Sequence, residues 1–186
     1  MKRFFAILVA CAAFAGTANN ASAQGFFNFF GGGSGSGPIP RQVVLFEGNY
    51  KPGSIIVDTG ERRLYLVLGN GQAIRYGIGV GRDGFRWGGV HKITAKKEWP
   101  AWTPPSQMLA RRPDLPRHME GGVENPLGAR ALYLGSTLYR IHGSNEPETI
   151  GQAVSSGCFR MVNDDVIDLY DRVSVGATVY VINRGS

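Results

Sequence analysis

The chain has 186 residues, 43% of them hydrophobic, with 27 glycines, 10 prolines, two cysteines and a formal net charge of +6. This composition excludes wholesale disorder and suits one globular domain with a tail; the glycines are too irregular for collagen and too many for a helix bundle. Past the N-terminus no run of about 18 apolar residues occurs, so the mature chain is not expected to span a membrane.

Residues 1–23 read as a secretory signal. Lys2 and Arg3 supply the positive region, Phe4 to Ala15 the short apolar stretch, and Ala21-Ser22-Ala23 the cleavage site. Leu8-Val9-Ala10-Cys11 also fits a lipoprotein processing box, but the apolar run continues past Cys11, which favours ordinary cleavage. The expected location is therefore the periplasm or cell envelope. Cleavage leaves 18 basic side chains against 14 acidic ones, too small an excess to imply a nucleic-acid partner. The denser basic pairs, Arg62-Arg63, Lys96-Lys97 and Arg111-Arg112, read as solvated faces. Cleavage also removes Cys11, so an exported chain keeps one thiol, Cys158, which must be buried, paired between chains or used.

Residues 24–40, with Phe26-Phe27-Asn28-Phe29-Phe30 and then Gly31 to Gly37, read as a flexible segment. From 41 to 184 a folded domain is expected. Ser54–Asp58, Arg62–Leu68, Gln72–Val80 and Val90–Lys97 have strand patterns, with Gly69-Asn70-Gly71 a hairpin turn; Leu132–Leu134, Leu138–His142 and Thr178–Ile182 continue the series. Short strands and glycine-rich turns predict a mainly β sandwich or barrel. Two short helices are expected. One covers Pro147–Val154, and the other Asp164–Val173, capped by Asn163, with Asp164 and Asp165 at its positive end. Between them and the early strands, Glu98 to Gly128 reads as a long, ordered lid rich in proline and tryptophan.

Gly79-Val80-Gly81-Arg82-Asp83-Gly84 has the glycine spacing of a dinucleotide-binding turn, but Phe85-Arg86-Trp87-Gly88-Gly89 cannot open the helix such a turn requires. The histidines His91, His118 and His142 are far apart, with no metal-ligand spacing, so metal binding has little support short of a site assembled from distant residues. The remaining constellation is Ile141-His142-Gly143-Ser144-Asn145, then Ser155-Ser156-Gly157-Cys158-Phe159-Arg160-Met161. A thiol needs a neighbouring base or cation to form thiolate near neutral pH, and an imidazole delivered by a strand end supplies one. An inert buried cysteine and a satisfied strand-end histidine are the bland alternatives.

These two segments resemble the signature of L,D-transpeptidases of the YkuD type, a His-Gly followed some fifteen residues later by Ser-x-Gly-Cys-x-Arg-Met. Ile55 to Leu68, Gly77 to Gly81, Ala101 to Pro105 and Asn125 to Gly128 are similar to further landmarks, so the likeness runs from about residue 40 to 184. The resemblance implies the L,D-transpeptidase catalytic fold, mainly β with two short helices and a long lid loop. It implies Cys158 as nucleophile, His142 as base, the Gly143 carbonyl as the group orienting His142, and the Gly157 and Cys158 amides as oxyanion donors. Arg160 is implied to brace the site or a substrate carboxylate. Where many members carry histidine, this chain has Ser156.

Ser144, Asn145, Ser155, Ser156, Trp102 and Met108 are candidate substrate contacts. Trp99 and His118 are equally well explained as lid packing, and His91 as a packing histidine. Tyr139, an odd number of residues before His142, is expected on the opposite strand face. The implied reaction is transfer of a peptidoglycan tetrapeptide stem through a Cys158 thioester to a stem amine, making a 3→3 crosslink without a cofactor. An envelope protein or lipoprotein as acceptor, water as acceptor, and a non-catalytic wall-binding module are the alternatives. The modest positive charge is compatible with an anionic wall polymer.

Overall fold

The computed structural model describes residues 37–183. The expected signal, the lipoprotein box and nearly all of the Phe/Gly/Ser-rich segment lie outside the described residues. Eleven strands and two α-helices follow in chain order: β1 (Gln42–Leu45), β2 (Ile55–Asp58), β3 (Arg63–Gly69), β4 (Gln72–Gly77), β5 (Val80–Gly81), β6 (Gly89–Glu98), α1 (Ser106–Arg111), β7 (Arg130–Leu134), β8 (Arg140–His142), β9 (Ala153–Ser155), β10 (Phe159–Arg160), α2 (Asn163–Arg172) and β11 (Thr178–Ile182).

Nine strands form one sheet in the order β1-β4-β3-β2-β11-β6-β7-β8-β10, and β5 pairs with β9 alone. The ten-residue β6 belongs to both halves. Gly89 to Lys92 pair with β11, while Ile93 to Glu98 pair with β7, with a register irregularity between Ile93 and Ala95. Such an irregularity bends the strand and increases its twist, so one sheet wraps as a sandwich does. The Asn70-Gly71 turn between β3 and β4 has positive φ at both residues, 52° and 70°, as a tight hairpin matching strand twist requires.

All four residues of β2 are buried, because it lies between β3 and the parallel β11 with neighbours on both faces. Ile55, Val57, Leu64, Leu66, Ile93, Leu132, Leu134, Ile141, Phe159 and Val179 join the core to Val166, Leu169 and Val173 of α2.

Three local expectations are corrected. Pro147 to Val154 is not a helix: a single 3-10 turn spans Pro147–Thr149, Gly151 adopts φ 89°, and Ala153–Ser155 become β9 against β5. Backbone pairing to Val80 and Gly81 outweighs the i,i+4 spacing of Ile150 and Val154. Asn163 does not cap α2; Val162 holds the cap position, and the Asn163 Oδ1 instead accepts from the Ala129 N–H at 2.9 Å. Lys96 is not on a solvated face. Its Nζ donates to the Tyr170 and Val173 carbonyls at 2.6 and 2.7 Å, ending α2 where carbonyls lack helical partners.

The predicted lid contains the helix α1, which sequence reading left as loop. Trp102 and Met119 exchange backbone hydrogen bonds of 2.8 Å, and the Asn125 side chain bonds the Met119 and Glu120 carbonyls and the Leu127 N–H. The glycine run that imitates a dinucleotide turn pairs through Gly79 with Arg160 and through Arg82 with Ser155, so it backs the cysteine loop.

Candidate active site

Strands β8 and β10 are parallel, with Ile141 opposite Phe159 and His142 opposite Arg160. Alternation sends Ile141 and Phe159 into the core, both almost fully buried, and puts Arg140, His142 and Arg160 on the other face. Cys158, one residue before β10, continues the register opposite Arg140. Two guanidinium groups, an imidazole and a thiol thus occupy neighbouring places on strands about 4.8 Å apart. They border a cleft of about 630 Å³ that also meets Trp102, Met108, Tyr139 and Ser156.

His142 is 4% exposed, and its Nδ1–H donates to the Gly143 carbonyl at 2.6 Å. A carbonyl only accepts, so the proton sits on Nδ1 and Nε2 is the free acceptor. Burial pushes the imidazole pKa down to about 3; the Gly143 carbonyl opposes this, while Arg160 and Arg140 add to it. Burial also pushes the Cys158 thiol up, against the Arg140 and Arg160 guanidinium groups and the Arg140 backbone N–H bonded to the sulfur. Both charged forms are therefore disfavoured in the resting site. Burial thus opposes the negative charge that the two guanidinium groups favour on the thiol.

Gly143 is tied to its place by packing: a Cβ there would meet the Asn163 Oδ1, so only glycine fits between the histidine and α2. The cysteine loop is closed on itself. Ser155 Oγ donates to the Cys158 carbonyl at 2.6 Å and accepts from the Gly157 N–H at 3.1 Å. The Gly157 N–H, expected to face an oxyanion, is thus committed to Ser155 in this conformation. Gly157 has φ 108°, and a Cβ there would strike the Tyr139 ring. Its carbonyl accepts from Trp87 Nε1 at 2.7 Å, and Trp87 stacks on Tyr139 with centroids 4.5 Å apart and planes at 10°. The aromatic pair forms a platform under the loop.

Other expected contacts divide. Trp102, Met108, Ser155 and Ser156 line the cleft, whereas Ser144 and Asn145 are not among its lining residues. Ser144 is buried and accepts the Glu146 N–H, and the Asn145 amide donates to the Glu124 carbonyl, which serves the lid. Arg160 lines the cleft but donates to Glu146 at 2.8 Å. His91 packs edge-on against Trp87, as a packing histidine should, and exposed His118 bonds Thr103 and Glu120. Tyr139, just before β8, packs against the core with Ile141 and stacks on Trp87, while also bordering the cleft.

Sequence reading missed Arg140 and Trp87. Arg140 was findable, since it lies two residues before His142 in one strand and shares its face. Trp87 carries no local signal; only folding brings it to Gly157. Among the described residues no group of three or more His, Cys, Asp or Glu side chains is placed to share a metal ion.

The model of the L,D-transpeptidase catalytic domain matches residues 52–181. The Escherichia coli K12 protein named "Probable L,D-transpeptidase ErfK/SrfK" is 36% identical over 155 residues, covering 78% of this chain and 48% of that protein. "Probable L,D-transpeptidase YbiS" of the same organism is also 36% identical over 155 residues, with 49% of its length covered. The chain thus spans about half the length of the curated relatives it matches. A Brucella melitensis crystal structure described as a probable carnitine operon oxidoreductase is 49% identical, covers 76% of this chain and 92% of its own, and has a TM-score of 0.52. The Mycobacterium smegmatis L,D-transpeptidase structure shares the fold at a TM-score of 0.55 and 19% identity, over 69% of this chain and 57% of that one.

Proposed function

This chain belongs to the L,D-transpeptidase catalytic domain family, and from that premise we propose that it is an exported, cysteine-dependent acyltransferase that joins peptidoglycan stem peptides in the bacterial envelope. The observation that carries the reading is the placement of Cys158 and His142 on one strand face, bordering one cleft, with the histidine's Nε2 left as acceptor.

Because burial disfavours both ions, His142 Nε2 takes the thiol proton as Cys158 Sγ attacks the carbonyl at the L-centre of the diamino acid in a tetrapeptide stem. The oxyanion forms beside the Cys158 N–H, a donor whose position is fixed by the Ser155 bridge. Collapse breaks the peptide bond, the imidazolium returns its proton to the departing D-alanine amine, and a thioester remains on Cys158. A side-chain amine of a second stem then attacks the thioester, His142 accepts the amine proton, and the restored thiol leaves a 3→3 crosslink. The chain of bond exchanges needs no cofactor. The lid, including α1, limits water while admitting an amine. Residues 1–23 serve as the export signal.

The test is incubation of purified protein with defined tetrapeptide stems and product mass spectrometry. A dimeric stem is expected, together with a covalent carbapenem adduct on Cys158, and both disappear in Cys158→Ala. A shortened monomer alone would reassign the acceptor to water, and transfer only to an envelope protein or lipoprotein would reassign it to protein. Products unchanged in Cys158→Ala would overturn the enzyme reading.

A further inference from the structure

We propose that Arg140 is a specificity-determining residue: its guanidinium binds a free carboxylate of the acyl donor beside Cys158, so that carboxylate-bearing stems react and their carboxamide counterparts are discriminated against. The inference rests on the acyl-transfer reading above and adds the chemical class of donor.

Arg140 lies two residues before His142 on the same face of β8 and opposite Cys158 in the register with β10. Its guanidinium carbon sits 5.3 Å from the centroid of the Tyr133 ring, its cross-strand partner on β7. That aromatic face supports the planar group. Its Nε is buried without a hydrogen-bond partner among the described residues. Arg130 Nε is likewise unpartnered, but the terminal nitrogens of the neighbouring arginines are engaged by carboxylates. Arg160 is held by Glu146 at 2.8 Å and Arg130 by Glu98 at 3.2 Å. The cleft is lined by Arg111, Arg140 and Arg160 and by no aspartate or glutamate. A buried donor without an acceptor carries a desolvation cost that a ligand can remove. A guanidinium fork fits a carboxylate in two parallel hydrogen bonds, whereas a carboxamide offers one acceptor and no charge. The cleft therefore presents a donor fork and a positive charge within one strand position of the nucleophile, and the complementary group is an anion on the donor.

Two carboxylates of a tetrapeptide stem fit this chemistry: the C-terminal one on the leaving residue and the one on the diamino acid's side branch. Three synthetic donors separate them, one with both free and two amidated at one position each, assayed on the full chain with a single amine acceptor. In the wild type, one amidated donor should lose roughly 10- to 100-fold in kcat/KM, chiefly through KM. Arg140→Gln should abolish the discrimination, bringing free and amidated donors to one level even as loss of the positive charge beside Cys158 slows both, and Arg140→Lys should restore part of the difference. Equal use of all three donors by the wild type would overturn the proposal. So would an Arg140→Gln variant that slows every donor equally while the discrimination persists, the mark of a merely structural role. Calorimetric binding of the same donors to Cys158→Ala reads the carboxylate preference without turnover. Preference in binding with no product from the wild type would sink the catalytic reading and leave this one standing, while equal binding of all three sinks this one.

Discussion

Replacing Trp87 with phenylalanine removes one hydrogen-bond donor and keeps the aromatic platform. The Nε1–H to Gly157 carbonyl bond of 2.7 Å is lost, and the stack on Tyr139 and the tilted contact with Phe159 at 5.2 Å keep a ring in place. A neutral hydrogen bond contributes about 1 kcal/mol net, and stranding its partly buried acceptor raises the cost to about 1–2 kcal/mol. For a domain of this size that lowers the melting temperature by roughly 2–8 °C. The carbonyl concerned is that of the residue before the nucleophile, so the same energy should appear as loosened positioning of Cys158. The rate of carbapenem adduct formation, followed by mass spectrometry under single-turnover conditions, should fall about 5- to 30-fold. Calorimetry on the same preparations gives the stability change. A lowered melting temperature with an unchanged acylation rate would refute the positioning argument and leave Trp87 a packing residue, and no change in either would refute the hydrogen bond's contribution altogether.

Three further outcomes are expected. With the His142 pKa pushed down to about 3, acylation of Cys158 should keep its rate constant between pH 7 and 5, where an ordinary histidine base would lose roughly thirtyfold; a fall of that size in the pH profile would refute the neutral-base assignment. Burial pushes the Asp165 carboxyl up to about 6 despite Arg41 at 3.4 Å, so the folded state binds its proton between about pH 4 and 6 and this contribution to stability fades as pH rises. His142 acts oppositely, being neutral when folded and protonated when unfolded below about 6.5, so its contribution grows as pH rises. Asp165→Asn leaves the histidine unopposed, and urea midpoints at pH 4, 5 and 6 should show unfolding free energy rising more steeply with pH, by up to about 1.4 kcal/mol per unit; curves parallel to the wild type would contradict this. Lys96→Met deprives the Tyr170 and Val173 carbonyls of a charged donor and should cost about 1–3 kcal/mol in chemical denaturation, with no change in acylation once folded.

Much of the fold is legible in local pattern. The Asn70-Gly71 hairpin, the apolar runs of β2 and β3 and the amphipathic α2 carry their signals within a few residues, since turn chemistry and hydrophobic period act locally. Where reading failed, a distant partner had taken over a local preference. The segment 147–154 became a 3-10 turn and a strand because β5 offered backbone bonds, and Asn163 turned from its helix to Ala129.

By itself, the sequence determined the family, the mainly β class and the two segments that hold His142 and Cys158, because a specific pattern of residue types marks them. Only the tertiary structure decided the state of the site. The burial that opposes charge on the thiol and imidazole, the commitment of the Gly157 amide to Ser155, the Trp87–Tyr139 platform and the unpartnered Arg140 Nε all follow from which groups are buried together. Desolvation and hydrogen-bond satisfaction depend on neighbours in space, and the neighbours here, Trp87 and Gly157 or Arg140 and Cys158, lie far apart along the chain.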